Sequence, residues 1–392
     1  MPDPLPLNLF QEISINGGIS KLKTILILGA GVAGTATAIF LARNGYRVKL
    51  IDRGIDRGFK VGESLSPNAT TMLQELGVWE QMQAGAHLKC YANASYWGSD
   101  QVHYVDFLHQ AHGFGWHLDR ALFEDQLRQI AIQERVELMD QGQLLSTVWK
   151  GSVWEVELKP NDRSSQKLLV DFIVDATGRS GSFMRRQGID RLYEDRQLAL
   201  VACLRQTKPV NSSEWTSLIE TVADGWWYTA PIPGGKLVTN FYCSPDPYQK
   251  EQWTQEQHWW ELVQQTPFTS ERLGPDQWEL IEPPRFVAAD SGIQEQIYGE
   301  GWLGVGDAAA TFDPISSHGL QMAMVGGRDA ANAIAALYDG GEEALPAYAH
   351  MIHDVFRQYG EERARIYWSE QRFSGSSYWV ERFARIRDLV GH

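Results

Sequence analysis

The chain has 392 residues, 43% of them hydrophobic, and a formal net charge of −14. This length predicts two domains with ample core, and the acidic balance argues against a nucleic-acid partner. No run approaches the roughly 18 apolar residues that a membrane-spanning helix needs. The tail over residues 1–21 lacks the basic and apolar regions of a secretory signal, so we expect a cytoplasmic protein with no stable membrane span.

The cysteines and histidines give no sign of a metal site. Cys90, Cys203 and Cys243 lie far apart in the chain, which predicts reduced thiols. The histidines over 109–117 have no acid or cysteine at a metal-ligand spacing. The chain also contains 15 tryptophans, a supply that suits a protein core and also a cavity for a flat aromatic ligand.

The first recognisable unit spans residues 24–52 and reads as strand, glycine turn, helix, strand and acid. Its turn has the spacing GxGxxG. Gly29 allows a tight turn, Gly31 lets the backbone approach a pyrophosphate, and Gly34 lets helix and strand pack closely. The helix N-terminus favours phosphates, and Asp52 can accept a hydrogen bond from a ribose hydroxyl. This stretch therefore predicts a dinucleotide site.

Helical and strand-like patterns alternate after this unit. We predict helices over 35–44, 68–76, 121–134 and 251–265, another that ends near residue 338, and a helical, aromatic C-terminal part. Strand-like segments cover 90–97, 101–108, 136–139, 143–149, 153–158, 168–174 and much of 198–242.

Two further glycine turns follow apolar strands: DATGRSG at 175–181 and GVGDAAATFDP at 304–314. Either alone is commonly an ordinary loop. Together with the opening fingerprint, and in this order, they resemble the flavoprotein monooxygenases of the p-hydroxybenzoate hydroxylase fold over residues 22–340. The resemblance implies FAD as the dinucleotide. It disfavours a simple nicotinamide dehydrogenase, which has no use for the two late turns.

The resemblance implies an α/β fold in which a Rossmann-type FAD-binding domain carries an inserted β-sheet substrate domain and C-terminal helices. The FAD-binding domain would comprise residues 22–90, 116–192 and 284–340, after the tail over 1–21. The substrate domain would comprise 91–115 and 193–283. The helical segment over 341–392 is expected to cover the substrate cavity.

The family's pattern also assigns cofactor-binding residues. Asp307 would hold the ribityl or pyrophosphate portion, backbone amides over 314–320 would face the isoalloxazine, and Arg120 would contact the cofactor, unless it forms only a surface ion pair. The implied set is Gly29, Gly31, Ala33, Gly34, Asp52, Arg53, Ser64, Arg120, Asp175, Gly306, Asp307, Pro314, Ser317, Gly319 and Leu320.

Within that fold the chain looks like the flavin-dependent halogenase branch and its non-halogenating relatives. The matching stretches are GES at 62–64 followed by Pro67, WG at 97–98, GW at 225–226, and DP at 313–314. Where halogenases have WxWxIP, Tyr228 and Ala230 replace the second Trp and the Ile. The stretches WHLDR at 116–120 and WWYTAPIP at 226–233 look closer to accessory flavoproteins that oxygenate a tryptophan of a partner protein to build tryptophylquinone cofactors.

Three residues are catalytic candidates. Lys89 lies near the place of the halogenating lysine, although counting back from Trp97 aligns Cys90 with it, and a one-residue shift on a strand turns the side chain to the other face. His318 could donate or accept a proton at the flavin edge, or simply pack there. Glu63 either faces the cavity or caps the helix near Pro67.

The cavity itself would be lined by aromatic residues of one stretch, Trp226, Trp227 and Tyr228, together with Pro231, unless these residues only build the core.

The expected function is that of an FAD-dependent monooxygenase that uses O₂ and a flavin C4a-(hydro)peroxide to oxygenate an electron-rich aromatic ring. The substrate would be indole- or phenol-like, as a free small molecule or as a side chain of a partner protein in quinone cofactor biogenesis. Reduced flavin would come from a separate reductase or from NAD(P)H, because no second nucleotide fingerprint is present. A flavin-dependent halogenase and a non-oxygenating flavoprotein reductase of related fold are the alternatives.

Overall fold

The computed structural model describes residues 23–54, 59–110, 112–139, 141–159, 164–208, 216–274 and 276–390, with backbone only for 387–390. The predicted tail over 1–21 lies outside these residues. In chain order, the helices are α1 (Val32–Arg43), α2 (Thr70–Leu76), α3 (Trp79–Gln83), α4 (Arg120–Gln133), α5 (Ser182–Arg186), α6 (Pro247–Trp253), α7 (Glu256–Gln264), α8 (Pro267–Leu273), α9 (Gly319–Tyr338), α10 (Ala344–Ser369) and α11 (Ser377–Val390). Within these described ranges no helix is long and apolar enough to cross a membrane.

The strands follow the same chain order and fall into five sheets. They are β1 (Thr24–Leu28), β2 (Arg47–Ile51), β3 (Ser64–Leu65), β4 (Leu88–Cys90), β5 (Ala92–Tyr96), β6 (His103–Asp106), β7 (Gly115–His117), β8 (Glu137–Met139), β9 (Gln143–Trp149), β10 (Trp154–Lys159), β11 (Gln166–Val170), β12 (Phe172–Asp175), β13 (Arg191–Tyr193), β14 (Leu198–Gln206), β15 (Ser217–Val222), β16 (Gly225–Ile232), β17 (Lys236–Cys243), β18 (Trp278–Leu280), β19 (Arg285–Ala288), β20 (Gly292–Gln294), β21 (Tyr298–Gly299), β22 (Trp302–Gly304) and β23 (Ala310–Thr311).

A central sheet in the order β21-β22-β12-β1-β2-β8 organises the first part of the fold. All neighbours are parallel except β21, which runs antiparallel to β22. The side chains of β1 are buried because helices and loops cover both faces of the sheet, as is usual for parallel sheets. The register pairs Leu28 with Ile51 and with Asp175, so the glycine turns after β1 and β12 meet at one edge.

A second sheet of eight strands has the order β18-β14-β17-β16-β15-β5-β6, with β19 also paired to β14. Its neighbours are antiparallel except β15 and β5. One face packs against α6–α8 through Trp227 and Trp259, and the other packs against the C-terminal helices through Trp226 and Trp379. The small sheet β3-β7-β4 lies between the large sheet and the central one and carries the segment that contains Glu63.

The remaining sheets are small. Strands β9–β11 form an antiparallel sheet, and β13, β20 and β23 form another. Helix α1 packs along α9 with close backbone contact, because a Cβ on Gly327 would lie 2.8 Å from the Cβ of Ala36. This pairing places the start of α9 on the same side of the molecule as the first glycine turn.

Most predicted elements are confirmed within one to three residues, with two informative differences. The predicted strand over 168–174 is two strands, since Asp171 accepts hydrogen bonds from Thr24 N and Lys23 Nζ, both at 2.8 Å, and the chain changes sheet there. The predicted helix over 251–265 is also two helices, because Asp246 and Gln249 form a capping box that starts α6 upstream.

The close packing of the first glycine turn gives a testable stability difference. A Cβ on Gly34 would lie 1.9 Å from Gly29 O, whereas one on Gly31 would meet no atom within 4 Å. We expect Gly34→Ala to destabilise the fold by about 1–3 kcal/mol through overpacking. Gly31→Ala should have a melting temperature close to that of wild type. Thermal unfolding of both variants without added cofactor tests this, and equal melting temperatures would contradict it.

Candidate active site

The first glycine turn leaves the start of α1 uncovered. Gly29 has φ +110°, donates its N–H to Ile51 O at 2.9 Å, and lies so close to the next turn that a Cβ would be 2.3 Å from Ala176 O. Gly31 occupies the N-cap of α1, and no side chain caps the helix there. The open backbone at the N-terminus of this twelve-residue helix fits a phosphate group.

The acid at the end of β2 is paired with an arginine that the sequence motifs did not single out. Asp52 Oδ2 accepts from Arg128 at 2.9 Å, and the same guanidinium also donates to Ala30 O at 3.3 Å. About a quarter of the Asp52 side chain remains exposed, so an oxygen is accessible to a ribose hydroxyl. Arg53 follows it on the surface. In the sequence, the four-residue spacing of Glu124 and Arg128 on the predicted helix was the signal that could have pointed to Arg128.

The Arg120 guanidinium is held mainly by other parts of the protein, and its contact with a cofactor stays a prediction. Its guanidinium donates to Val61 O at 2.5 Å and Gly62 O at 2.7 Å, and it pairs with Glu124 at 2.8 Å. Of its nitrogens, Nε is buried without a partner among the described residues. Arg120 therefore anchors the loop that leads into Glu63.

Asp175 is likewise internal rather than a ligand group. The carboxylate is fully buried. One oxygen accepts from Thr177 N and Oγ1, and the other accepts from Phe183 N and Met184 N, all within 3.0 Å. Because these donors belong to its own turn and to α5, Asp175 shapes the second glycine turn and does not reach a bound molecule.

The third glycine turn presents an exposed acid. Gly306 has φ +59° and lies against Ala33, and 43% of the Asp307 side chain is accessible. Arg191 holds this turn by donating to Asp307 O at 2.7 Å and Ala308 O at 2.9 Å. Arg191 lies more than 100 residues away in sequence, so no local motif pointed to it.

The turn that follows is built by Asp313, which accepts from Ile315 N at 2.9 Å and so caps the short helix Pro314–Ser316. Ser317 then adopts the left-handed conformation with φ +52°. This reversal delivers the chain to Gly319, the first residue of α9, where no side chain caps the helix and a Cβ would meet no atom within 4 Å. Leu320 beside it is buried.

A small open cleft connects the turn at Gly306 and Asp307 with the start of α9. It is lined by Gly306, Asp307, Phe312, Gly319, Met322 and Ile352, among others. The exposed acid and the uncapped start of α9 therefore border one space. Together with the uncovered start of α1 beside Gly306, this arrangement fits an extended dinucleotide with a ring system at its far end.

His318 immediately precedes α9 and its side chain is exposed at this edge. When the imidazole is neutral, one of its nitrogens can accept a proton and the other can donate one.

Glu63 lies fully buried between the loop held by Arg120 and the large sheet. Its Oε2 has no hydrogen-bond partner in the described part of the chain. Burial raises the pKa of the carboxyl, while a hydrogen bond from Tyr228 and the charge of Arg120 oppose the shift. The Tyr228 hydroxyl also lies 2.5 Å from Ser64 Oγ, and desolvation raises the phenol's pKa well above its usual value. Glu63 does not cap a helix.

Strand β16 divides its aromatic residues between two faces. Trp226 and Tyr228 face the C-terminal helices and the loop of Glu63, whereas Trp227 packs under α6–α8 against Phe241 and Trp259. The expectation that Trp227 lines the same cavity is therefore wrong, because successive side chains of a strand alternate. Pro231 is partly exposed near the end of the strand.

The same alternation decides between Lys89 and Cys90 on β4. Lys89 is exposed and its ammonium lies 4.3 Å from the Phe114 ring centroid, while Cys90 is buried and donates to Ala92 O. The assignment of Lys89 as a catalytic group is therefore not supported by its position.

Cys90, Cys203 and Cys243 are free thiols, and no cluster of metal-binding side chains occurs among the described residues.

The chain is similar to known flavoproteins over most of its length. Residues 22–362 match the family model described as FAD binding domain. The putative FAD-dependent oxidoreductase LodB of Marinomonas mediterranea is 25% identical over 363 residues, which cover 92% of this chain and 96% of that protein. A 1H-pyrrole-2-carbonyl-[peptidyl-carrier protein] brominase of Pseudoalteromonas luteoviolacea is 29% identical over 342 residues, covering 84% and 81%.

Among solved structures, the peptidyl tryptophan dihydroxylase QhpG, essential for tryptophylquinone cofactor biogenesis, superposes with a TM-score of 0.74 at 23% identity, covering 92% of this chain and 78% of that one. These likenesses agree with the α/β FAD-binding fold, the inserted sheet and the halogenase-like sequence features described above. The chain therefore belongs to the FAD-binding domain family and is an FAD-dependent oxidoreductase related to the flavin-dependent halogenases.

Proposed function

We propose that the protein is a monooxygenase that transfers one oxygen atom from O₂ to an electron-rich aromatic ring, indole- or phenol-like. The observation that carries the choice of oxygenation is the orientation of β4, where the buried residue is Cys90 and the lysine points to solvent over Phe114. A halogenase of this branch needs a lysine inside the cavity. The likeness to the peptidyl tryptophan dihydroxylase and to LodB supports the same choice.

FAD, when bound and reduced, supplies the two electrons that activate O₂; one oxygen atom of O₂ goes to the aromatic ring and the other leaves as water, and the electrons come from a separate reductase or from NAD(P)H. The protein's own contribution begins with placing that cofactor. In this proposal Gly31 at the start of α1 receives the pyrophosphate, Gly34 lets α1 pack closely against the first turn, and Ala33 and Gly306 shape the path of the cofactor. Asp52 binds the adenosine ribose and Asp307 the ribityl chain, while backbone amides from Pro314 to Leu320, including Ser317 and Gly319, face the isoalloxazine.

The second contribution is control of protons next to the ring that reacts. Glu63 combines an unpartnered oxygen with a raised pKa, so it can take up the proton that an aromatic ring must lose after oxygen is added. Tyr228 donates a hydrogen bond to the carboxyl, and Ser64 Oγ lies 2.5 Å from the Tyr228 hydroxyl. His318, at the other end of the cavity, can donate a hydrogen bond to oxygen at the flavin edge.

The substrate of this proposal is an aromatic side chain carried by a partner protein. This inference follows the substrates named for the similar proteins, which are a carrier-bound pyrrole in one and a peptidyl tryptophan in the other. Trp226 and Tyr228 would line the cavity, with Pro231 at its border. Oxygenation of such a side chain would serve the building of a quinone cofactor.

Halogenation is the second candidate, because the uncapped start of α9 beside His318 offers an open amide to an anion such as halide. Incubating the FAD-loaded protein with reduced flavin, O₂, bromide and a panel of indoles and phenols, free and within peptides, separates the two. We expect mass spectrometry to show a gain of one oxygen atom, and replacement of hydrogen by bromine would contradict the proposal. Lys89→Met should leave the product and its yield unchanged.

The role of Glu63 predicts a pH dependence. The rate of oxygenation should rise with pH as Glu63 ionises. Because the pKa of Glu63 is raised, this rising limb of the pH–rate profile should lie at higher pH than for an ordinary carboxyl. Glu63→Gln should lower the single-turnover rate by about 10²–10⁴-fold and abolish this limb. Tyr228→Phe, which removes a hydrogen bond that lowers the Glu63 pKa, should move the limb to higher pH.

Protein stability provides the control for that experiment. Because the folded state raises the Glu63 pKa, wild type should lose stability as pH increases from the unfolded pKa through the folded one. Glu63→Gln should lack this loss, so its unfolding free energy should change less over the pH range between those two pKa values. Equal pH profiles of stability would show that the buried carboxyl is not perturbed, and equal profiles of rate would remove Glu63 from the reaction.

A further inference from the structure

The turn over residues 313–317 is held from outside by helix α10. Asp313 is buried, and two tyrosines of α10, eight residues apart, contact it from the same side. Tyr359 Oη accepts from Asp313 N at 2.5 Å, and Tyr367 donates its hydroxyl to Asp313 Oδ2 at 2.8 Å. The other carboxylate oxygen caps Ile315 N. The orientation of one carboxylate therefore sets the turn, and Tyr367 sets that orientation.

The Tyr367 hydroxyl has a second contact, which reaches the large sheet. It accepts from Trp226 Nε1 at 3.0 Å. Trp226 is itself fixed by stacking on Tyr242, with ring centroids 3.9 Å apart, and by an edge contact with Trp97. A single buried hydroxyl thus joins strand β16 on the substrate side to the turn before α9.

The surroundings make this hydroxyl difficult to replace. Burial and the nearby charge of Asp195 raise the pKa of Asp313, while Arg363 opposes them. The only other donor to Asp313 Oδ2 in the described chain is Gln197 Nε2, at a longer 3.3 Å. Arg382, buried over the Tyr378 ring, donates to the amide oxygen of that same glutamine. Without Tyr367, Asp313 Oδ2 would keep only the longer contact from Gln197 and would be poorly solvated, while Ile315 N would still donate to the other oxygen.

We propose that Tyr367 is a positioning residue for the reactive end of the cofactor. It fixes Asp313 in the orientation that forms the turn over 314–317, and through Trp226 it ties the position of that turn to the substrate side of the large sheet. The proposal rests on the proposed placement of the isoalloxazine against residues 314–320, but it does not depend on which substrate is oxygenated.

The test compares Tyr367→Phe with Tyr348→Phe. Tyr348 is a matched control, since it is a buried tyrosine of the same helix whose hydroxyl donates to Gly304 O at 3.0 Å and not to the turn. In the flavin-free protein, hydrogen exchange at the amides of Ile315 and Ser317 should be roughly tenfold faster in Tyr367→Phe, the change expected for losing one hydrogen bond to a charged group. The control should match wild type.

With FAD bound, Tyr367→Phe should shift the visible absorption band and midpoint potential of the flavin, and should release more hydrogen peroxide for each reduced flavin consumed. These quantities report the surroundings of the ring system, so a general loss of stability would not move them. Unchanged exchange, or changed exchange with an unchanged flavin spectrum and potential, overturns the proposal. Altered exchange and flavin properties without any aromatic oxygenation would refute the proposed function while supporting this inference.

A second variant covers the case in which Tyr367→Phe does not fold. Trp226→Phe keeps the Tyr367–Asp313 contact and removes the donor from the sheet together with part of the ring that stacks on Tyr242, so it should alter exchange and the flavin potential in the same direction by a smaller amount. If both variants fold, their double mutant should differ little from Tyr367→Phe, because the two side chains act through one hydroxyl. Effects of Trp226→Phe that simply add to those of Tyr367→Phe would contradict the coupling.

Discussion

Backbone contact between two glycine turns at the ends of adjacent parallel strands is the constraint on which the rest of the structure depends. Gly29 leaves no room for a side chain against Ala176 O, and Gly34 leaves none against Gly29 O. Strands β1 and β12 can be neighbours only because these turns interlock, and Asp175 secures the second turn from within. The start of α1 is thereby left uncovered at the edge where the cofactor enters.

Side chains from distant segments then hold the loops around this edge. Arg120 binds the carbonyls of the loop before Glu63, Arg191 binds those of the turn at Asp307, and Arg128 joins Asp52 to the first turn. A guanidinium can bind several carbonyl oxygens of a loop at once because it offers five N–H donors in a rigid plane. These contacts occupy the arginines around the glycine turns, while the Asp307 carboxylate stays partly exposed with Arg179 Nε at 3.8 Å.

The elements and the FAD-binding fold could be predicted from local patterns, because the GxGxxG turn, the later glycine turns and the apolar strands each encode their own geometry. The face of a strand to which each side chain points was harder to predict from the sequence. Lys89 and Trp227 were assigned to the cavity, yet on a strand a shift by one residue reverses the face, and only the pairing partners of β4 and β16 decide it. Arg191 and Tyr367 could not be found, since their partners lie more than 50 residues away.

Two buried carboxyls flank the proposed reaction site, and their different surroundings separate their roles. Burial raises the pKa of both Glu63 and Asp313. The oxygens of Asp313 are used by Ile315, Tyr367 and Gln197, whereas Glu63 retains a buried oxygen that no described group contacts. The donors to Asp313 fix the orientation of its carboxyl, whereas Glu63 keeps a buried acceptor that a molecule beside it could use. In the proposed function, Asp313 therefore shapes the turn and Glu63 exchanges the proton.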